Sequence, residues 1–430
     1  MPKRIFALSV AILALALFPA TQTAANGHAD DATVDHFFSA IRDNNFDAAT
    51  THFSARMKAF SPAGLKASWN EFYKDEGPLL SWEIFERQTF SNGRVEARVQ
   101  LRFHSSTANS MVVVNPPTGE ITSVLFKMPV TAPPYADQSR FHAEDVTVGE
   151  LKLPGTLTIP NGKGPFPAAL LIQGSGPTDR DETVGPNHPF ADIAEGLASR
   201  GIIVLRFDKR TYENWKIDPQ KTTVDNEVIQ DAVAAVRTLR ARRDVAPDRI
   251  FIVGHGLGAR LAPEIATKAR PVAGIVMLAP LGRKLPQLML EQARFLGQAS
   301  PKELSQIEQQ ANQLSAHKMD AKQMFMGAPA SYYYDLETRD EVAIARSLDV
   351  PILILHGSRD YPGVDADIRY WQAGLKGDAK VQVDALPTFN HLFMAGTGKP
   401  NPAELYAPGH VDVSVIGKIA SFIAGAGHAN

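Results

Sequence analysis

The apolar positions change period along the chain, and each period marks a different kind of element. Val34, Phe37, Phe38 and Ile41 fall at helical spacing, and Leu65, Trp69 and Phe72 repeat it. This predicts two or three amphipathic helices at the start of the folded chain. Alternation takes over at Val95, Ala97, Val99, Leu101 and Phe103. An apolar run over 111–114, a Pro-Pro-Thr-Gly turn at 116–119 and a further strand near Val124, Phe126 and Met128 complete the pattern. Helices first and strands after make a small α+β domain over residues 26–129. Residues 129–140 then contain three prolines and no period, which reads as a linker.

From residue 141 onward the pattern is of a different class. Largely apolar runs at 168–172, 202–207, 250–253, 274–278, 351–355 and 381–386 are bounded by turn residues. Several are separated by helical segments, such as Val228, Ile229, Ala232, Val233, Val236 and Leu239. Such strands are buried on both faces, so the expectation is an α/β domain with a mostly parallel sheet covered by helices on either side. Between Leu281 and Leu348 a helical insertion interrupts the alternation, with Leu285, Leu288, Met289, Phe295 and Leu296 on one face. Ser300-Pro301-Lys302-Glu303 is a capping box that opens another of its helices. A lid over the strand ends would sit here.

Composition narrows the setting. At 430 residues, with 44% hydrophobic and 21% charged residues, the chain has the ordinary balance of a soluble globular protein. A net charge of −2 gives no pull toward nucleic acid or an anionic membrane. Lys3 and Arg4 precede an apolar run from Ile5 to Phe18, then Pro19 and the small residues Thr23, Ala24 and Ala25. That is the layout of a cleavable secretory signal over 1–25, too short for a membrane span of roughly 20 residues. Cleavage is expected near Ala25, leaving a periplasmic or secreted chain. The absence of cysteine excludes a lipid-anchoring cysteine, disulfides and thiol chemistry.

The candidate chemistry centres on residues 250–258, IFIVGHGLG. A buried strand that breaks into G-x-x-x-G and then a helix has the frame of a nucleophile elbow, in which a serine stands at the apex in a strained conformation. Gly254 and Gly258 are the frame, and the apex is Gly256, so the turn is present and the hydroxyl is not. The acid and histidine of such a site should follow in that order, each after a later strand. Asp360, in HGSRDYPG, follows the 351–355 run, and His391, in PTFNHLF, follows 381–386. Oxyanion donors would be the Leu257 N–H and an N–H of Gly174 or Ser175 in IQGSGPTDRDE.

Other residues near these motifs carry plainer readings. His255 and His356 are expected as packed or hydrogen-bonded structural residues. Tyr332 to Tyr334 would either line an acyl pocket or form a core cluster, and Asp179 to Glu182 would either bridge loops or form a solvated turn. No zinc motif, histidine cluster or dinucleotide fingerprint appears in the sequence, so no metal or cofactor is expected.

Taken together, GSGPTDRDE, FDKR at 207–210, the elbow, HGSRDY, NHLFM and PGHV resemble the EstD-type secreted carboxylesterases of the α/β-hydrolase fold. The N-terminal unit resembles the domain of unknown function often found before secreted hydrolases, of the cone-shaped type shared with nuclear transport factor 2. The resemblance runs over nearly all of residues 141–430. It implies that Asp360 orients the histidine, that His391 is the general base, and that Leu257 with Gly174 or Ser175 receives the oxyanion. The family's serine falls on Gly256. Two functions follow as expectations. One is a carboxylic ester hydrolase impaired at its first step, acting on a small-molecule ester; the other is a ligand-binding pseudoenzyme that keeps the pocket.

Overall fold

The computed structural model describes residues 29–426 except 56, 60, 75, 90–92, 105, 127–131, 214–217, 298 and 361–363. The expected signal segment, its cleavage position near Ala25, and Met128 lie outside the described residues. The chain divides into two compact units, with the division between Pro129 and Val130.

In the first unit, helices α1 (Ala29–Arg42), α2 (Phe46–Ala49) and α3 (Pro62–Tyr73) precede strands β1 (Ser81–Thr89), β2 (Val95–Arg102), β3 (Thr107–Asn115) and β4 (Glu120–Phe126). The strands form an antiparallel sheet in the order β1-β2-β3-β4. Val34, Phe37, Phe38, Leu65 and Trp69 pack with Val99, Leu101 and Phe103 in one core, as the two periods require. β1 escaped the sequence reading because a register shift between Ile84 and Glu86 breaks its alternation and turns Phe85 outward.

The second unit begins with a hairpin, β5 (Phe141–Val148) and β6 (Leu153–Pro160), followed by β7 (Phe166–Ile172), α4 (Pro189–Ala198) and β8 (Ile203–Phe207). Next come α5 (Gln230–Arg240), β9 (Val245–His255), α6 (Gly256–Lys268) and β10 (Gly274–Leu278). Helices α7 (Leu285–Leu296) and α8 (Pro301–Ser315), a hairpin of β11 (Met324–Phe325) and β12 (Ala328–Pro329), and helices α9 (Ala330–Glu337) and α10 (Glu341–Ser347) make the insertion. β13 (Ile352–Gly357), α11 (Val364–Gly374), β14 (Val381–Leu386) and α12 (Val413–Gly425) complete it.

The main sheet has eight strands in the order β14-β13-β10-β9-β7-β8-β6-β5. Those from β14 to β8 run parallel, and only the leading hairpin is antiparallel. Side chains at Leu170, Ile252 and Ile275 join one core with α5 and α6, while Leu171, Val253 and Val276 join a second with α4 and α12. Alternate residues of one strand thus feed opposite layers, which is why these strands read as unbroken apolar runs.

Residues 132–140 are not a free tether. Tyr135 Oη donates to the Val411 carbonyl at 2.7 Å and the Asp137 N–H to Ser199 Oγ at 3.0 Å, which fastens them to the second unit. The insertion is similarly fixed. Leu288, Leu314, Tyr333 and Leu336 belong to the sheet's own core, so it is integral to the unit rather than a detachable cover. Its capping box is formed as expected, with Ser300 N donating to Glu303 Oε2 at 2.8 Å and Glu303 N to Ser300 Oγ at 3.3 Å.

Candidate active site

The elbow lies where β9 passes into α6. His255 is still extended, at φ −117 and ψ 140, and Gly256 turns to φ +53. A left-handed residue here lets the chain reverse from strand to helix within one step. A Cβ on Gly254 would run into the Gly258 carbonyl, and one on Gly258 into the carbonyl of Ile172. Close backbone approach therefore fixes both frame glycines. At Gly256 there is room, since an added Cβ would lie 3.5 Å from Gly174 Cα, an ordinary contact.

Asp360 and His391 come from the loops after β13 and β14, which are parallel neighbours. Ser358 N donates to Leu386 O at 3.0 Å and Arg359 N to Phe389 O at 2.9 Å, so the two loops are laced together. His391 Nδ1 donates to Asp360 Oδ2 at 2.7 Å, with the carboxylate fully buried and the imidazole 22% exposed. A proton held at Nδ1 makes Nε2 the basic nitrogen. Asn390 Oδ1 accepts from Leu392 N and Met394 N, at 3.0 and 3.1 Å, and so closes the turn that carries His391. Arg359, beside the acid, grips Glu404 and the carbonyls of Thr397 and Gly398.

His255 ties this pair to the elbow. Its Nε2 donates to the His391 carbonyl at 3.1 Å, and the two rings lie 4.5 Å apart between centroids. Its Nδ1 is 3.0 Å from Glu182 Oε1, a contact poorly aligned for a hydrogen bond and therefore chiefly Coulombic. Burial disfavours the imidazolium, but the Glu182 carboxylate outweighs burial and raises the pKa above its ordinary value. A raised folded pKa contributes stability that is present in full below about pH 6.5 and is lost as pH rises through the folded value. The Tm advantage of the parent over a Glu182→Gln variant is thus expected to be largest in mild acid, where the imidazole is protonated and carboxylates are still ionised, and to shrink toward alkaline pH. A constant difference across pH would show that Glu182 does not hold His255 charged.

Glu182 Oε1 also accepts the Gly174 N–H at 2.6 Å. Of the two alternatives, Gly174 or Ser175, this favours the second, because a carboxylate already takes the Gly174 donor. The Ser175 N–H makes no hydrogen bond among the described residues. Leu257 stands in the first turn of α6, where backbone N–H groups have no carbonyl of their own helix to bond. Among the N–H groups expected at the site, those of Leu257 and Ser175 are the ones without a hydrogen-bond partner among the described residues.

The plainer readings resolve by burial. Tyr332 and Tyr333 are buried, Tyr333 Oη donates to Phe325 O at 2.8 Å, and Tyr334 Oη donates to Met319 O at 2.8 Å, so the three are a core cluster. Asp179 to Glu182 bridge loops: Asp179 accepts from Thr183, Asp181 pairs with Arg206, and Arg180 forks onto Asp208. His356 is buried at the end of β13, and burial holds its pKa below the ordinary value, so it is a neutral structural side chain. Lys209 was missed as an individual residue, although it lies inside the FDKR motif, and Glu182 was read only as a loop-bridging or solvated charge, without its contacts to His255 and the Gly174 N–H. No group of side chains among the described residues is arranged to hold a metal ion.

The chain matches the alpha/beta hydrolase family over residues 170–428. It is 37% identical to esterase EstD of Thermotoga maritima over 395 residues, covering 90% of this chain and 93% of that one. Est1E from Butyrivibrio proteoclasticus is similar in fold at 17% identity and a TM-score of 0.43, over 66% of this chain and 98% of that one. An esterase/lipase from an uncultured bacterium is similar at 18% identity and a TM-score of 0.44, over 69% and 87%.

Proposed function

The chain belongs to the α/β hydrolase family, as an esterase of the EstD type, and from that premise we propose that its site is built for transfer of a carboxylic acyl group to water. The observation that carries this reading is the buried Asp360–His391 pair, docked through His255 on the residue before the apex of the elbow. Asp360 orients the imidazole, and His391 Nε2 takes the proton from the attacking oxygen and later returns it to the leaving alkoxide. Leu257 and Ser175 N–H groups receive the developing oxyanion. Gly256 withholds the serine hydroxyl, so the acyl-enzyme step has no nucleophile and turnover is impaired.

The same missing hydroxyl favours a second reading, in which the chain binds an ester or its acid product without turnover. Hydrolysis of a short aryl ester by the mature chain, measured beside equilibrium binding of the product acid, separates the two. Binding with no hydrolysis above buffer supports the second. Hydrolysis lost on His391→Ala supports the first.

Export is part of the proposal, supported by the charged and then apolar N-terminus and by the small residues before Asn26. No described helix is long and apolar enough to cross a membrane. N-terminal sequencing of the exported protein is expected to begin near Asn26, and an uncleaved Met1 in that protein would overturn it.

A further inference from the structure

Lys209 is buried at 3% exposure, and its ammonium makes two contacts: Glu227 Oε1 at 2.9 Å and the Gly174 carbonyl at 3.0 Å. The Gly174 carbonyl and the Ser175 N–H are two ends of one peptide unit. In a trans peptide they point in opposite directions, so whatever fixes the carbonyl fixes the N–H. The preceding peptide is pinned as well, through the Gly174 N–H on Glu182 Oε1. Rotation of the 174–175 peptide is therefore blocked from both sides, and the Ser175 N–H is left as the outward donor.

We propose that Lys209 is a positioning residue for the oxyanion hole: it orients the Gly174–Ser175 peptide and polarises it so that the Ser175 N–H is a stronger donor. Three physical points carry this. A cation on an amide oxygen draws electron density from nitrogen and makes the N–H a better donor, since linked hydrogen bonds polarise one another. The bond is charge-assisted and buried, where water does not weaken it. The ammonium is kept in place by Glu227, which lies in a short π-helical segment, Asp225–Ile229, and is itself met by Thr211 Oγ1 at 3.4 Å and by the Tyr332 hydroxyl from α9. Lys209 never reaches the reacting atoms; it acts through the peptide.

This inference rests on the ester-hydrolysis reading, and its test has one arm with chemistry and one without. Removing Lys209 alone would strand a buried carboxylate, so Lys209→Met is combined with Glu227→Gln. In a Gly256→Ser background the pair is expected to lower kcat by about 10-fold or more with little change in KM, short of the ~10²–10³ that loss of a whole oxyanion donor costs. The inhibition constant of a trifluoromethyl ketone, whose adduct places an oxyanion in the hole, is expected to rise by the same factor. A loss confined to KM, or one fully explained by fewer sites titrated with a fluorophosphonate, overturns the proposal. Because the chain has no cysteine, Lys209→Cys made in the Gly256→Ser, Glu227→Gln protein, where no carboxylate is stranded, and then aminoethylated in denaturant and refolded rebuilds an ammonium at that position alone. Rescue by aminoethyl and not by a neutral propyl group is the expected result, and equal rescue by both overturns it.

The second arm uses the Gly256 chain and no reaction. The Ser175 amide ¹⁵N resonance is expected to move upfield in the Lys209→Met, Glu227→Gln protein, and an unchanged resonance overturns the proposal. If Gly256→Ser shows no hydrolysis while Lys209 is intact, the ester-hydrolysis reading has failed, and the amide arm alone decides the role of Lys209.

Discussion

Gly256→Ser is expected to raise hydrolysis of short-chain aryl esters by at least ~10⁴-fold, approaching the ~10⁶ in kcat that serine contributes in a well-studied protease. The surroundings of residue 256 explain the size. The apex already has φ +53, the left-handed turn of an elbow, and an added Cβ meets nothing nearer than Gly174 Cα at 3.5 Å. That neighbour belongs to the loop that carries the Ser175 donor, so a serine oxygen would arrive beside the oxyanion hole. Its base is in place, with His391 Nδ1 on Asp360 at 2.7 Å. Serine gives up glycine's freedom at a strained φ, and a loss of ~1–3 kcal/mol in stability should accompany the gain. Steady-state rates with several acyl lengths and labelling by a fluorophosphonate check it. A folded Gly256→Ser protein that is no faster than its parent and takes no label would leave the binding reading in its place.

The second large effect belongs to the acid. In the Gly256→Ser protein, Asp360→Asn is expected to lower kcat by about 10⁴-fold while leaving the fold intact, as the equivalent change does in a serine protease. The carboxylate is fully buried and accepts from His391 Nδ1, which fixes the tautomer with Nε2 as base. An amide of the same shape can instead donate to Nδ1 and drive the proton onto Nε2, where it blocks proton transfer. Because the volume is conserved, thermal denaturation should move little while kcat collapses. Activity within roughly tenfold of the aspartate protein would mean that His391 is held by something else.

Much of this molecule was legible before any coordinates. The class of the large unit was readable because strands covered on both faces must be apolar at every position, and 168–172, 250–253 and 274–278 are. The pairing of Asp360 with His391 was readable because each follows a strand in an order the fold imposes. β1 was not, since a bulge removes the alternation that marks a half-buried strand. The fate of residues 132–140 was not either: their prolines suggest a tether, while Tyr135 and Asp137 bond into the sheet domain across more than sixty residues of chain.

The sequence by itself determined the sheet's character, the turn at Gly254 to Gly258, the missing hydroxyl at Gly256 and the order of Asp360 and His391, because each is a local demand of backbone geometry or burial. Only the tertiary structure decided which of these backbone N–H groups are left without a partner. Gly174 and Ser175 are equivalent in a glycine-rich loop until Glu182 takes one donor and Lys209 orients the other. Those two side chains arrive from 8 and 35 residues away. Local pattern carries no record of such pairings, which form only where burial leaves each polar group to find a partner or bear the full loss of hydration.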